Sequence, residues 1–179
     1  MIVAAGVGNF QGLIVTVASA CLQMRFSRLG LRSIESNKFV TVAGEPSELV
    51  FADGFAPSLP RAGVSLYGQP WLQLRDRYGN LCENFVAIDS SSIQARVDLR
   101  QSQVWQGMQY SVRGDALLGT TAQQVIAGGS RFTDLRIDIV GVYRLVFRLP
   151  SLSLQVASSD LIVQAGAGSK LKCIQVRPT

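Results

Sequence analysis

The chain has 179 residues, of which 47% are hydrophobic and 16% charged, with 17 Lys and Arg against 12 Asp and Glu for a formal net charge of +5, and no histidine. Such a composition is that of a globular chain, rich enough in apolar residues to fill a core and far from the polar, highly charged chains that stay disordered. The lack of histidine removes in one stroke the commonest general base, the Ser-His and Cys-His nucleophile systems and His-containing zinc sites.

From the N-terminus, the first 24 residues carry no charged side chain, and Val17 to Cys21 reads loosely as a small-residue cleavage site or a lipoprotein box. The stretch lacks the basic start of a signal peptide, and Gly6, Gly8, Asn9, Gln11 and Gly12 interrupt it as a membrane span. It is read as strand, with any targeting signal lying upstream. Ser47 to Phe51 forms the next strand, followed by a loop bearing Pro57 and Pro60. Pro70 to Arg75 follows, its Leu72 and Leu74 on the core face and Trp71 out of phase with them. The chain then turns at Asp76-Arg77-Tyr78-Gly79-Asn80, where Gly79 supplies the positive φ of a tight turn and the Asp76 carboxylate caps loop amides.

Past this turn, Ile93, Ala95, Val97 and Leu99 alternate with Gln94, Arg96, Asp98 and Arg100, the pattern of a half-buried strand. Val104 to Val112, with Trp105, Met108 and Tyr110, predicts a neighbouring strand and hairpin. Leu117 to Ile126 predicts one continuous strand, closed by Gly128-Gly129. Phe132, Leu135, Ile137 and Ile139 continue the core, with a bulge at Thr133-Asp134. Gly141 to Phe147 places Tyr143, Leu145 and Phe147 on one face, Pro150 ends that strand, and Ser158 to Val163 is the last before Ala165-Gly166.

The chain repeats itself. Gly6, Phe10, Leu13, Ser36, Ala43, Gly44, Ser47 and Leu49 return as Gly128, Phe132, Leu135, Ser158, Ala165, Gly166, Ser169 and Leu171, each pair 122 positions apart (128 − 6). One gap suffices, since Leu22, Met24 and Phe26 match Tyr143, Leu145 and Phe147 at an offset of 121 (143 − 22). A fixed period of this kind marks a tandem array. It predicts an all-β antiparallel architecture in three pieces: residues 1–42 as the C-terminal half of a preceding module, 43–164 as a complete module, and 165–179 as the first strand of a following one. The half-module lacks its partner sheet, so its amides are expected to exchange faster than those of the complete module.

The Asp-x-x-Gly-Asn turn at 76–80, the Gly-x-Tyr-x-Leu-x-Phe strand at 141–147, the Ser-x-x-Leu-x-Val strand at 158–163 and the Ala-Gly-x-x-Ser-x-Leu junction together resemble Ig-like E-set repeats, both filamin-type rod repeats and invasin-type bacterial Ig-like repeats. The resemblance implies an Ig-like β-sandwich strung end to end, non-catalytic, serving as the spacer and adhesive rod of a long extracellular or cell-surface protein. The alternative it implies is an intracellular cytoskeletal or ciliary scaffold that binds partners by β-strand augmentation.

Few residues suggest other chemistry. The basic residues Arg25, Arg28, Arg32 and Lys38 cluster around Glu35, and elsewhere Arg alternates with Asp, so no nucleic-acid partner is expected. No membrane insertion is expected either; the partners are neighbouring modules and another protein. Cys21, Cys82 and Cys173 do not recur with the repeat and read as small buried hydrophobes. No cofactor is expected; calcium is the one left open, with Glu45, Glu48, Asp53 and Asp76 the available carboxylates near a junction. Asp134, Arg136 and Asp138 share one strand face and are expected to pair. Asp76, Gly79 and Asn80 are assigned to turn structure, and Trp71, Tyr78 and Trp105 are the candidate interaction surface.

Overall fold

Short runs of alternating apolar and polar residues, broken by Gly, Pro, Asn and Asp, leave the backbone no helical period to follow. The computed structural model describes residues 2–4, 7–57, 60–85, 92–101 and 116–166. Among them the regular elements are strands apart from one 3₁₀ turn at Pro150–Leu152. The first six strands are short: β1 (Ile2–Ala4), β2 (Val7–Asn9), β3 (Ser19–Leu22), β4 (Arg25–Phe26), β5 (Ile34–Glu35) and β6 (Phe39–Thr41). There follow β7 (Pro46–Phe51), β8 (Trp71–Asp76), β9 (Ser92–Gln101), β10 (Leu117–Leu118), β11 (Ala122–Gln124), β12 (Gly129–Arg131), β13 (Arg136–Ile137), β14 (Gly141–Leu149) and β15 (Leu154–Val163).

Residues 46–163 build two antiparallel sheets, β12-β8-β7 and β11-β9-β14-β15, with β10 and β13 as a separate pair. One apolar cluster joins them: Leu49, Leu72 and Leu74 from the first sheet meet Ile93, Ala95, Tyr143, Leu145, Phe147, Leu161 and Val163 from the second, and Phe132, Leu135 and Ile137 join from the intervening segment. The period-two alternation of β8, β9 and β14 produces this, because each strand turns its apolar set to one side. The chain is thus all-β, with antiparallel sheets sharing a core, consistent with a β-sandwich.

The strand expected to run unbroken from Leu117 to Ile126 is instead two. Gly119 has φ +101°, and a Cβ there would lie 2.4 Å from the Asp134 carbonyl oxygen. That kink sends β10 to pair with β13 and β11 to pair with β9. The suspected bulge at Thr133-Asp134 is a non-strand segment, and it removes Asp134 from the expected triad. Its carboxylate accepts from the Thr120 amide (2.9 Å) and hydroxyl (2.8 Å), which hold its pKa below the ordinary carboxyl value. Arg136 and Asp138 do pair, at 3.3 Å. The expected hairpin around Trp105, and Cys173, lie outside the described residues.

Residues 19–41 and 141–163 form the same hairpin. The partners Ser19↔Thr41, Leu22↔Phe39, Arg25↔Glu35 and Phe26↔Ile34 correspond, through the repeat, to Gly141↔Val163, Tyr143↔Leu161, Val146↔Ala157 and Phe147↔Val156. The single gap in the alignment has a structural counterpart, since the register of the first hairpin slips between Ser19 and Leu22, where one extra residue is accommodated as a bulge. Both hairpins slip near the middle, the first for the second time, and both treat that irregularity alike. The Met24 amide donates to Ser36 Oγ (2.9 Å), and the Leu145 amide to Ser158 Oγ (3.1 Å). Each hydroxyl in turn donates to the next residue's carbonyl, Asn37 at 2.8 Å and Ser159 at 2.6 Å. Where the ladder slips, a serine thus satisfies an amide that would otherwise lose its partner. Even the aromatic pair recurs: Phe10 and Phe26 have ring centroids 4.9 Å apart, Phe132 and Phe147 5.2 Å.

What differs is cover. Phe132, Leu135 and Ile137 are 0%, 0% and 1% exposed, whereas their counterparts Phe10, Leu13 and Val15 are 43%, 57% and 42% exposed. No sheet like β12-β8-β7 packs on residues 10–41 among the described residues, and the strands there are two to four residues long where β14 and β15 have nine and ten. A strand pair with one bare apolar face has less packing to extend it.

Candidate functional site

The turn after β8 closes on itself first. The Asp76 amide donates to the Asn80 carbonyl (3.0 Å) and the Gly79 amide to the Asp76 carbonyl (2.9 Å), with Gly79 at φ +83° as a tight turn requires. Asp76 Oδ1 accepts from the amides of Tyr78 and Asn80, both at 2.9 Å. Its Oδ2 accepts from the Asn80 side-chain amide and from the Gly44 amide, again at 2.9 Å. Two donors on each oxygen use the acceptor capacity of the carboxylate, so Asp76 offers none to a cation. The Asn80 side chain foremost, then the Gly44, Asn80 and Tyr78 amides, hold its pKa well below the ordinary carboxyl range, against the opposing effect of burial. Asp76 is 4% exposed.

The same residues reach beyond the turn. Asn80 Oδ1 accepts from the Ala18 amide (3.0 Å), and its Nδ2 donates to the Thr16 carbonyl (2.8 Å). Asn80 therefore clamps the backbone of a segment more than sixty residues earlier, while Asp76 clamps Gly44 in the four-residue connection, 42–45, between β6 and β7. The Cys82 thiol donates to the Gly44 carbonyl at 3.6 Å. Burial, and secondarily the Asp76 charge, raise the Cys82 pKa, which keeps the proton needed for that contact. Together these groups form a joint between residues 10–41 and the sheets that follow. A cleft of about 560 Å³ lies beside it, walled by Ile14 to Val17 on one side and by Glu45, Arg77 and Tyr78 on the other.

The structure thus brings Asp76, Gly79 and Asn80 together in one turn, as their types imply, and adds Thr16, Ala18, Gly44 and Cys82. The repeated Ala-Gly dipeptide was the sequence signal for Gly44; Thr16 and Ala18 take part through backbone groups and carried none. Tyr78 sits at the joint, exposed, under the Arg77 guanidinium at 4.7 Å. Trp71 lies elsewhere, half-buried on β8, with the Arg131 guanidinium 4.8 Å above its ring. The candidate surface is therefore not one patch, and Trp105 lies outside the described residues. Among the described residues no three His, Cys, Asp or Glu side chains converge to hold a metal, and no helix is long and apolar enough to cross a membrane. No family model matches the chain, and no curated protein matches its sequence.

Proposed function

We propose that this chain is a segment of a tandem array of Ig-like modules, cut as 1–42, 43–164 and 165–179, that works as a non-catalytic spacer and protein-interaction rod of an extracellular or cell-surface protein. The observation that carries the proposal is the joint: a hairpin built like β14–β15 is fastened to the next two-sheet unit by side-chain clamps on backbone, across only four linking residues. Short linkers with fixed contacts limit rotation, so an array joined this way holds its length. The sheet orders β12-β8-β7 and β11-β9-β14-β15 support an Ig-like sandwich, with the strands of the complete module in three- and four-stranded layers.

Residual dipolar couplings test the rigidity. Amides in 19–41 and in 46–163 should share one alignment tensor in the native chain and separate into two in Asn80→Ala, with both parts still folded. Independent tensors in the native chain would remove the spacer reading.

One observation favours the intracellular scaffold as a second reading: Cys21, unlike the buried Cys82 and contrary to the expectation of a buried small hydrophobe, is a free, exposed thiol, a liability in an oxidising compartment. There the ten-residue strand β15, which among the described residues is hydrogen-bonded in its sheet only to β14, would be the edge that accepts a partner strand. Thiol labelling of natively purified protein separates the two. A reduced Cys21 supports the scaffold; a Cys21 blocked as a mixed disulfide supports the extracellular rod.

A further inference from the structure

The joint at Asn80 uses backbone groups of its neighbour, and the repeat carries those groups to the far end of the complete module. Thr16, Ala18 and Gly44 correspond, at the offset of 122, to Asp138, Val140 and Gly166. Resting on the tandem reading above, we infer that the Asp138–Val140 segment with Gly166 is a docking site, and that its occupant is the Asp-x-x-Gly-Asn turn of a following module of the same kind.

Three observations carry this. The hairpins that follow the two segments pair corresponding residues and share the serine-bridged irregularity, and they differ near the segment only in the bulge between Ser19 and Leu22 and in the Thr41 hydroxyl that ties Val17 and Ser19, for which Val163 has no equivalent. At the near end the clamp reads only an amide, Ala18, and a carbonyl, Thr16, so the change of side chains to Val140 and Asp138 leaves its donors and acceptors in place. Among the described residues no hydrogen bond engages the Val140 amide, the Asp138 carbonyl or the Gly166 amide, although Val140 and Gly166 are only half exposed. Partly shielded backbone groups of this kind seek partners. The two new charges at the site, Asp138 in place of Thr16 and Arg136 in place of Ile14, pair with each other at 3.3 Å, so the incoming carboxylate of the turn does not meet a bare anion.

The far end also has a stiffer seat. The Gln164 amide donates to the Pro60 carbonyl (2.9 Å) and the Ala62 amide to the Gln164 carbonyl (2.8 Å), which fixes the strand exit that leads to Gly166. A Cβ at Gly166 would stand 2.5 Å from the Ala62 carbonyl oxygen, so glycine is required there by the module that precedes the joint. At Gly44 the nearest atom to such a Cβ is Asp76 Oδ2 at 3.6 Å, belonging to the module that follows. The Ala-Gly step thus meets both sides of a joint, and each of its two copies displays one of them.

The test is a chain in which residues 1–164 continue directly into a second copy of residues 43–179, which keeps the repeat register. Hydrogen exchange of the Val140 amide in the first copy should slow by about tenfold or more relative to the 179-residue chain, as expected for a newly formed protected bond. Asn80→Ala in the second copy alone should restore the original rate while the second copy's Leu145 and Phe147 amides stay protected. An unchanged Val140 rate with a protected second core overturns the docking inference and leaves the tandem reading standing. A second copy without protected core amides overturns both.

Discussion

Phe10 and Phe132 occupy the same place in two copies of one pattern but differ in what covers them, and truncating each to alanine measures that difference. Phe132 is 0% exposed and packs against Phe147 with centroids 5.2 Å apart. Removing a fully buried ring forfeits roughly 150–200 Å² of burial at about 25 cal/mol per Å², or about 4–5 kcal/mol, in line with the ~3–5 kcal/mol typical of Phe→Ala in cores. That is a large part of the total stability of an ordinary domain, which is about 5–15 kcal/mol. Phe10 is 43% exposed and its main ring contact is Phe26 at 4.9 Å. Its loss should cost about 2–4 kcal/mol, from half the area and the pair interaction, and only in residues 10–41. Urea unfolding followed by the fluorescence of Trp71, which lies on β8 inside the two-sheet unit, reports the larger unit. Phe132→Ala should shift its midpoint strongly and Phe10→Ala hardly at all. Equal shifts would refute the reasoning, because they would mean that Phe10 is as deeply covered in solution as Phe132.

Tyr143 is 0% exposed and its hydroxyl has no hydrogen-bond partner among the described residues, while burial raises its pKa. Tyr143→Phe should therefore stabilise by about 1 kcal/mol, read as a raised urea midpoint, because it removes an unsatisfied buried group and keeps the ring. Gly128→Ala should prevent or severely impair folding, since φ is +70° and the new Cβ would stand 2.6 Å from the Cys82 carbonyl oxygen. Gly63→Ala, at φ +80° with nothing within 4 Å, should cost only about 1–2 kcal/mol, and thermal melts of the two variants make the comparison. Asp76 and Asp134 both have pKa values lowered by folding, so the unfolded chain takes up their protons first. Their contribution to stability is complete above about pH 5 and is lost as pH falls through the unfolded carboxyl value of about 3.9 toward the folded ones. Urea midpoints measured from pH 6 to pH 3 should fall in the native chain and fall less steeply in Asp76→Asn.

What the sequence determined by itself was everything that depends on neighbours along the chain. Period-two alternation put Leu72 and Leu74, Ile93 and Ala95, and Tyr143, Leu145 and Phe147 on inward faces, because successive side chains of a strand point to opposite sides whatever lies beyond them. The residue types of the 76–80 turn declared its shape for the same local reason. The repeat was legible as identities at a fixed spacing. Tertiary structure decided the rest. Gly119 has the sequence context of an ordinary strand residue, but the Asp134 backbone lies against it, and that contact splits one expected strand between two pairings. The change of offset from 122 to 121 was an alignment gap until pairing with β6 turned it into a bulge between Ser19 and Leu22. Asn80 looked complete as a turn residue, yet its side chain is spent on Thr16 and Ala18, whose backbone groups carry no residue-specific mark. Alternation and turn chemistry are written in adjacent residues, whereas bulge, kink and joint exist only where distant backbone comes within hydrogen-bonding or van der Waals reach, and no local pattern encodes that approach.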